Sequence, residues 1–505
     1  MGDRFFLKTL GQPELVGPDG RALRFKVRKH LALLIYLAAD HRGAHTRDAL
    51  VELLWGGVDA ERGRHSLSVA LSVLRSALGT QSIQSTNTQV RLLHSRLTLD
   101  LDLLSRGAIL GGEGVPALEV DRFLLDFEID DAPAFQHWRD RQNAHLLPAI
   151  QAAYLTLLDH ARRSGDMRRV LGFADRLLAL DPLSEEGIRA RMLALAMQGD
   201  RVSALRAYEE WREELGRQLG AAPSELLEGM AARLRRPVAD RGAISPCPVS
   251  QPDGWADRRF VGRAAEFREL VDAWEATTQF NTRHILLTGE SGIGKSTLAM
   301  RFGASVALEG AAVARVQCFE LEQRIAFGMI GALVTGLLDR PGAVATAPES
   351  LAEIARVVPR VRERFPNLPA PRRTEGETAR MHFAEGTFAL FDAIMDEQPL
   401  LLIVDDYPRS DEASLNVLHM LLRRAGTDRV MVVLTGRPAE SGESAQVRRI
   451  REGVSYLPMR PISLSPLTEE EGDAMLSALL NGAARDVGAP IRRALLQAGR
   501  GNPMA

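Results

Sequence analysis

Gly289-Glu290-Ser291-Gly292-Ile293-Gly294-Lys295-Ser296-Thr297 decides how this 505-residue chain is read. The chain has 63 Lys plus Arg, of which only Lys8, Lys26, Lys29 and Lys295 are lysine. Arg has taken almost every cationic position, so the lysine kept inside a glycine-rich run answers a need that Arg does not meet. A loop that wraps phosphates has that need. An ammonium is a compact point charge that threads between phosphate oxygens, whereas a guanidinium is wide and planar. Gly289, Gly292 and Gly294 would free the backbone to curl around the phosphates, with Lys295, Ser296 and Thr297 as the contacting side chains. His284 to Thr288 ahead of the run predicts a short buried strand, and Ser296 to Leu308 behind it predicts a helix. The competing view is a glycine-rich turn that binds nothing; the strand before and the helix after favour a P-loop.

Downstream elements come in the order that a nucleotide site needs. Leu400-Leu401-Leu402-Ile403-Val404-Asp405-Asp406 is an apolar run ending in two carboxylates. It predicts a buried parallel strand whose C-terminal end faces the site. Asp405 would hold magnesium through water, with Ser296 as the direct ligand, and Asp406 would orient or deprotonate the attacking water. Arg429 to Leu434 predicts another buried strand, followed by Thr435-Gly436-Arg437, where Arg437 either senses the γ-phosphate or is a surface residue at a strand end. The guanine-reading pattern Asn-Lys-x-Asp needs a lysine that the chain lacks, so the expected cofactors are ATP and Mg2+.

Composition fits a globular protein, with 45% hydrophobic and 25% charged residues. The net charge of −2 conceals a basic start: residues 1–100 carry 14 Lys/Arg against 9 Asp/Glu. That end is the expected site for a polyanion, although such an excess also occurs on ordinary solvated surfaces. Asp3, Arg4 and Lys8 interrupt any secretory pattern, and the apolar stretch from Leu31 to Ala39 is too short to cross a membrane. A cytoplasmic protein without membrane contact is expected. Cys247 and Cys318, in separate predicted domains, give neither a disulfide framework nor a zinc site.

Within the first hundred residues, Phe5–Leu10, Glu14–Val16 and Ala22–Phe25 read as strands, and helices are predicted at about 28–39, 46–55 and 59–78. Two further strands, 89–93 and 96–100, are expected to form a hairpin. At 100° per residue, Leu67, Ala70, Leu71, Leu74, Ala77 and Leu78 share the inward face of the third helix. His65, Ser68, Val69, Ser72 and Ser76 lie opposite, flanked by Arg62, Arg64 and Arg75. Small hydrogen-bonding residues between arginines suit a helix that enters a major groove while the arginines meet phosphates. The wheel alone leaves open a solvated surface face.

From 121 to 236 the pattern is helical. Gly165-Asp166 recurs as Gly199-Asp200 and Leu171 as Leu205, an offset of 34 residues, the period of a tetratricopeptide helix pair. A plain helical bundle is the alternative. Pro237 to Trp255, with four prolines and no periodicity, reads as a linker.

The segments 29–38, 46–55 and 64–79 resemble the SARP family of bacterial transcriptional activators. Phe123 to Trp138, Leu180 to Glu186 and Ala204 to Glu209 resemble the bacterial transcriptional activator domain that follows the winged helix there. The resemblance implies that 59–78 is a recognition helix, that 82–99 contains the wing, and that paired copies read direct repeats. Phe260 to Arg263, Cys318 to Glu322, Leu400 to Asp406, Thr435 to Pro438, Leu464 to Thr468 and Gly501-Asn502-Pro503 resemble a STAND-class AAA ATPase, which adds Val261, Gly262 and Arg263 to the nucleotide site. In that class Gly-Asn-Pro opens a helical lid, so a chain ending just beyond it is expected to lack the lid and sensor region.

The expected architecture is multidomain: an α+β winged helix (1–100), an all-α tetratricopeptide-like domain (101–236), a linker (237–257) and an α/β P-loop ATPase with a parallel sheet (258–505). The expected function is an ATP-controlled transcriptional activator with slow hydrolysis. Promoter duplex DNA, RNA polymerase and further copies of the chain are its expected partners. The rival is an ATP-hydrolysing machine or signalling ATPase whose N-terminal half is a protein adaptor.

Overall fold

The computed structural model describes residues 4–40, 43–105, 107, 120–235, 261–424, 428–438, 443–479, 492–493, 495–496 and 499–503. The expected linker and Phe260 lie outside these residues. The chain divides into two compact units, Met1–His160 with Gly172–Gly187, and Ala161–Leu171 with Ile188–Ala505. The division passes through the helical segment expected as one domain.

The first unit opens with β1 (Phe5–Lys8), β2 (Glu14–Val16), β3 (Ala22–Leu23), α1 (Arg28–Ala39), β4 (His45–Thr46), α2 (Arg47–Trp55) and α3 (Ala60–Leu78). It continues through β5 (Ile83–Ser85), β6 (Gln89–Leu92), β7 (Leu97–Leu99) and α4 (Asp100–Ser105). Thr46 Oγ1 accepts from the Ala49 amide and caps α2, and Asp59 accepts from the Glu61 and Arg62 amides and caps α3. Leu67, Ala70, Leu71, Leu74 and Leu78 of α3 are buried, as the wheel requires, while Ala77 is half-buried.

One strand pairing differs from expectation. The hairpin is β5 with β6, Ile83 opposite Leu92, and β7 leaves it to pair in parallel with β1, Phe5 opposite Leu97. Burial is the reason. Leu97 and Leu99 are both buried, and Asp100 just beyond accepts the Thr9 and Leu10 amides and the Thr9 hydroxyl, so the chain end is pinned against β1. The four-stranded sheet therefore runs β3-β2-β1-β7, and a three-stranded sheet runs β4-β6-β5. The core of α1, α2 and α3 also takes in Phe123, Phe127, Phe135 and Trp138, so packing continues past residue 100.

Five helices follow: α5 (Pro133–Arg163), α6 (Met167–Leu180), α7 (Glu185–Met197), α8 (Arg201–Leu219) and α9 (Glu225–Arg235). The sequence repeat reappears as a repeat of backbone geometry. Gly165 and Gly199 both take positive φ, +70° and +82°. The Asp166 amide reaches the Ala161 carbonyl, and the Asp200 amide reaches that of Leu195. Asp166 accepts from the Arg169 amide, and Asp200 from that of Ser203. Each Gly-Asp thus ends one helix in the left-handed conformation and caps the next.

The remainder of the second unit is α10 (Ala264–Thr278), β8 (His284–Thr288), α11 (Lys295–Leu308), β9 (Ala312–Gln317), α12 (Gly328–Leu337), α13 (Pro348–Ile354), α14 (Arg360–Arg364) and α15 (Gly376–Glu397). After these come β10 (Leu400–Asp405), α16 (Glu412–Arg424), β11 (Val430–Gly436), α17 (Ala445–Glu452), β12 (Met459–Ser463) and α18 (Glu469–Leu479). Its sheet is parallel in the order β12-β8-β11-β10-β9. Every residue of β10 and β11 is buried. The period-2 alternation sends Leu401, Ile403, Met431 and Val433 to a core with Phe267, Trp274, Leu298 and Phe302 of α10 and α11. Leu400, Leu402, Val404, Val430, Val432 and Leu434 join Leu333, Phe383, Phe391 and Leu418 on the other face. Helices cover both faces, which is why these strands read as unbroken apolar runs.

Candidate nucleotide site and nucleic-acid face

The loop between β8 and α11 is built on backbone that only glycine takes without strain. Gly289, Gly292 and Gly294 have φ of +155°, +79° and +102°. A side chain at Gly289 would also meet the Ile293 methyl at 3.0 Å and the Leu464 carbonyl at 3.1 Å. Lys295 is the first residue of α11, so its ammonium stands where the first-turn amides and helix dipole also favour an anion. Its Nζ donates to the carbonyls of Gly289 (2.8 Å) and Glu290 (2.7 Å). Burial lowers its pKa, Asp406 and Asp405 pull it back up, and Arg437 adds to the depression. Thr297 follows, half-buried in the same helical turn.

Sheet order brings the remaining chemistry to this loop. Asp405, at the C-terminal end of β10, is almost fully buried. Its Oδ1 accepts from Ser296 Oγ (2.8 Å) and from Thr435 Oγ1 (2.6 Å), and its Oδ2 from the Arg315 guanidinium (2.7 Å). Thr435 Oγ1 also accepts the Asp406 amide at 2.9 Å. Asp406 takes a left-handed φ of +59°, which turns it out of the strand, and its Oδ2 lies 3.5 Å from Arg409 Nε. Arg437 is exposed just past β11. A hydroxyl beside a carboxylate at the mouth of a phosphate loop is the donor set of a hard divalent cation that takes its other ligands from phosphate and water. The residues therefore fit magnesium, with Ser296 and Asp405 as its protein donors.

Of Val261, Gly262 and Arg263, Arg263 reaches the phosphate loop by a hydrogen bond. Arg263, buried and left-handed at the start of α10, donates to the Ile293 carbonyl (3.2 Å) and pairs with Glu266 (3.2 Å). Glu471 serves two segments. One carboxylate oxygen accepts the Thr468 amide and closes a capping box at the start of α18. The other accepts the Arg263 amide and lies where a side chain on Gly262 would need to be. Asn502 Nδ2 donates to the Ser291 carbonyl at 2.9 Å, so Gly501-Asn502-Pro503 also reaches the phosphate loop. Sequence reasoning missed Arg315 and Glu471. The signal for Arg315 was a lone charge within the apolar strand Ala-Val-Ala-Arg-Val-Gln.

In the first unit, Arg62, Arg64, His65, Ser68, Val69, Ser72 and Val73 form an exposed face of α3. Two of the expected contacts are already engaged. Ser68 Oγ accepts from Arg47 of α2 (2.8 Å), and Arg64 pairs with Asp48 (3.3 Å). Arg75 is half-buried: its guanidinium donates to the Ile83 carbonyl (3.1 Å) and to Ser85 Oγ (2.5 Å), tying α3 to the β5–β6 hairpin. Arg47, not foreseen from the sequence, stands beside the centre of the face.

Residues 126–235 match the bacterial transcriptional activator domain, and residues 259–433 match the AAA ATPase domain. The chain joins a SARP-type activator domain to an AAA ATPase domain. Among solved structures it is similar to Mycobacterium tuberculosis EmbR in complex with a low affinity phosphopeptide, at 18% identity over 55% of this chain and 72% of that one, with a TM-score of 0.33. It is also similar to the Aeropyrum pernix ORC2 protein in its ADPNP-ADP complexes, at 16% identity over 43% of this chain and 51% of that one, with a TM-score of 0.27. No curated protein matches the chain. Among the described residues no helix is long and apolar enough to cross a membrane.

Proposed function

We propose that this chain is a transcriptional activator that binds promoter DNA through an N-terminal winged helix and is switched by ATP bound to a STAND-class ATPase domain. The observation that carries the proposal is the joining of an activator domain at 126–235 to a phosphate loop whose Ser296 and Asp405 meet at 2.8 Å. Neither half alone calls for the other. Together they describe a regulator that senses nucleotide. The order of strands, three helices and hairpin supports the winged-helix reading, with α3 as recognition helix and β5–β6 as wing. The repeated Gly-Asp geometry supports tetratricopeptide-like pairs, which supply a protein-binding surface for RNA polymerase or further copies of the chain.

At the ATP site, Lys295 and the loop amides would hold the phosphates, and Arg437 is poised near them. Magnesium, held by Ser296 directly and by Asp405 through water, would neutralise charge on the phosphate oxygens. Asp406 orients water for a slow hydrolysis that resets the switch. The test uses the full chain to select fragments of the host genome, with and without ATP, alongside Lys295→Ala. Discrete fragments whose capture depends on ATP in the parent but not in the variant are the expected result. Rapid ATP turnover with no selected fragment would instead identify an ATP-hydrolysing machine with an N-terminal adaptor.

A further inference from the structure

Arg315 is the one charged residue of β9 in the second unit. It lies opposite Ile403 in the β9–β10 register, and Asp405 follows two residues later on the same face of β10. Its side chain is 16% exposed and that of Asp405 is 3% exposed, so the pair at 2.7 Å is largely withdrawn from water. Arg315 Nε is buried with no hydrogen-bond partner among the described residues. A guanidinium kept there at the cost of an unsatisfied N–H is held for its charge, because an apolar residue would pack the strand without that cost. Its partner is the carboxylate that would face magnesium, and it takes Oδ2 while Ser296 and Thr435 take Oδ1.

We propose that Arg315 is a positioning residue that sets how strongly nucleotide binding depends on magnesium. The proposal rests on the ATP-binding reading of the same site. Arg315 fixes the Asp405 rotamer through Oδ2 and neutralises its charge. Two consequences follow, of opposite sign. Without a divalent cation, the neutralised carboxylate does not repel the triphosphate, so ATP still binds. With magnesium present, the guanidinium competes for the same carboxylate and weakens the metal's hold. Arg315 thus narrows the gap between magnesium-dependent and magnesium-free binding. A purely structural arginine would shift both affinities together.

The experiment is calorimetric titration of the full chain with ATP, in excess Mg2+ and in EDTA. The readout is the ratio of the two dissociation constants. In Arg315→Met the buried carboxylate is uncompensated, so the ratio should rise about tenfold, with weaker binding in EDTA and binding at least as tight in Mg2+. Arg315→Lys keeps the charge and should leave the ratio near that of the parent. The double variant Arg315→Met with Asp405→Asn removes both charges, guards against a folding failure of the single variant, and should bring the ratio close to one. An unchanged ratio in Arg315→Met, or a double variant as magnesium-dependent as the single one, overturns the proposal. If the parent binds no ATP, or binds it as well after Lys295→Ala, the nucleotide reading itself falls and this inference falls with it.

Discussion

Single residues at the nucleotide site are held by their surroundings rather than by their own preferences. Lys295 is one example: its ammonium is buried against two carbonyls of its own loop. Lys295→Ala should lower ATP affinity by about a hundredfold or more in calorimetry, because a desolvated phosphate loses its fixed cation. The thermal midpoint without ATP should not fall, since a buried charge is removed with it. Thr435 is a second example, accepting the Asp406 amide while donating to Asp405. Thr435→Val leaves both groups short of a partner and should cost about 1–3 kcal/mol in denaturant unfolding, with Thr435→Ser close to the parent. An equal loss in both variants would mean that packing, not the hydroxyl, holds the site. His284 is fully buried, and its Nδ1 accepts the Val432 amide at 3.1 Å. Burial pushes its pKa down to about 3 from an ordinary 6.5, so the folded ring stays neutral where the unfolded ring charges. Stability should therefore fall as pH drops from about 6.5 toward 3, and His284→Gln should flatten that slope in denaturant titrations at pH 7 and 5.

At the scale of elements, α3 depends on the hairpin that follows it. Arg75 was expected to meet phosphates, but its guanidinium is committed to Ile83 and Ser85. Arg75→Ala should first loosen the hairpin, seen as faster amide hydrogen exchange over 83–92. It should also weaken binding to all duplexes alike, by displacing the hairpin proposed as the wing. His65 and Ser72 are exposed on the outward face, and substitutions there should change which bases are preferred. Arg47→Ala should release Ser68 and reduce the salt dependence of binding, because Arg47 is a candidate phosphate contact. The Gly-Asp corners set a comparable limit on the helical segment. Gly199→Val places a β-branched side chain at a φ of +82° and should destabilise the α7–α8 corner, measured by thermal unfolding.

At the scale of the whole molecule, the proposed switch requires a route from the nucleotide site to the activator domain. Within the second unit, α11 carries the phosphate loop at its start. Further along, Arg301 donates to the Gly165 carbonyl (3.1 Å), and at its end the Leu308 carbonyl accepts from Arg233 of α9 (3.0 Å). Arg162 and Arg163 add ion pairs to Glu275, Asp272 and Glu309. One helix therefore touches both the phosphate loop and the ends of α5 and α9. Reversing Arg162 and Arg163 to Glu should leave ATP affinity near that of the parent but abolish the effect of ATP on duplex binding. A retained ATP effect would rule out this route. If paired copies bind head to tail, preferred sites are direct repeats roughly 10–11 base pairs apart. Inserting five base pairs moves one repeat to the opposite face of the duplex and should destroy cooperative binding. Cooperative binding that survives the insertion would rule out the head-to-tail arrangement.

The sequence by itself determined what local rules govern. The P-loop was legible because a lysine in an arginine-dominated chain sits among glycines at fixed spacing. The inward face of α3 and the apolar strands β10 and β11 followed from periodicity that acts over a few residues. The Gly-Asp repeat was legible because each copy closes its own corner. Contacts between segments far apart in the chain needed the tertiary structure. Thr435 and Arg315 reach Asp405 only because β11 and β9 flank β10, an order no local pattern encodes. Glu471 and Asn502 reach the Arg263 segment and the phosphate loop across about 200 residues of chain. β7 was misplaced as a hairpin strand for the same reason: Leu97 and Leu99 alternate as any strand does, and their partner was settled by burial against β1, not by the neighbouring turn.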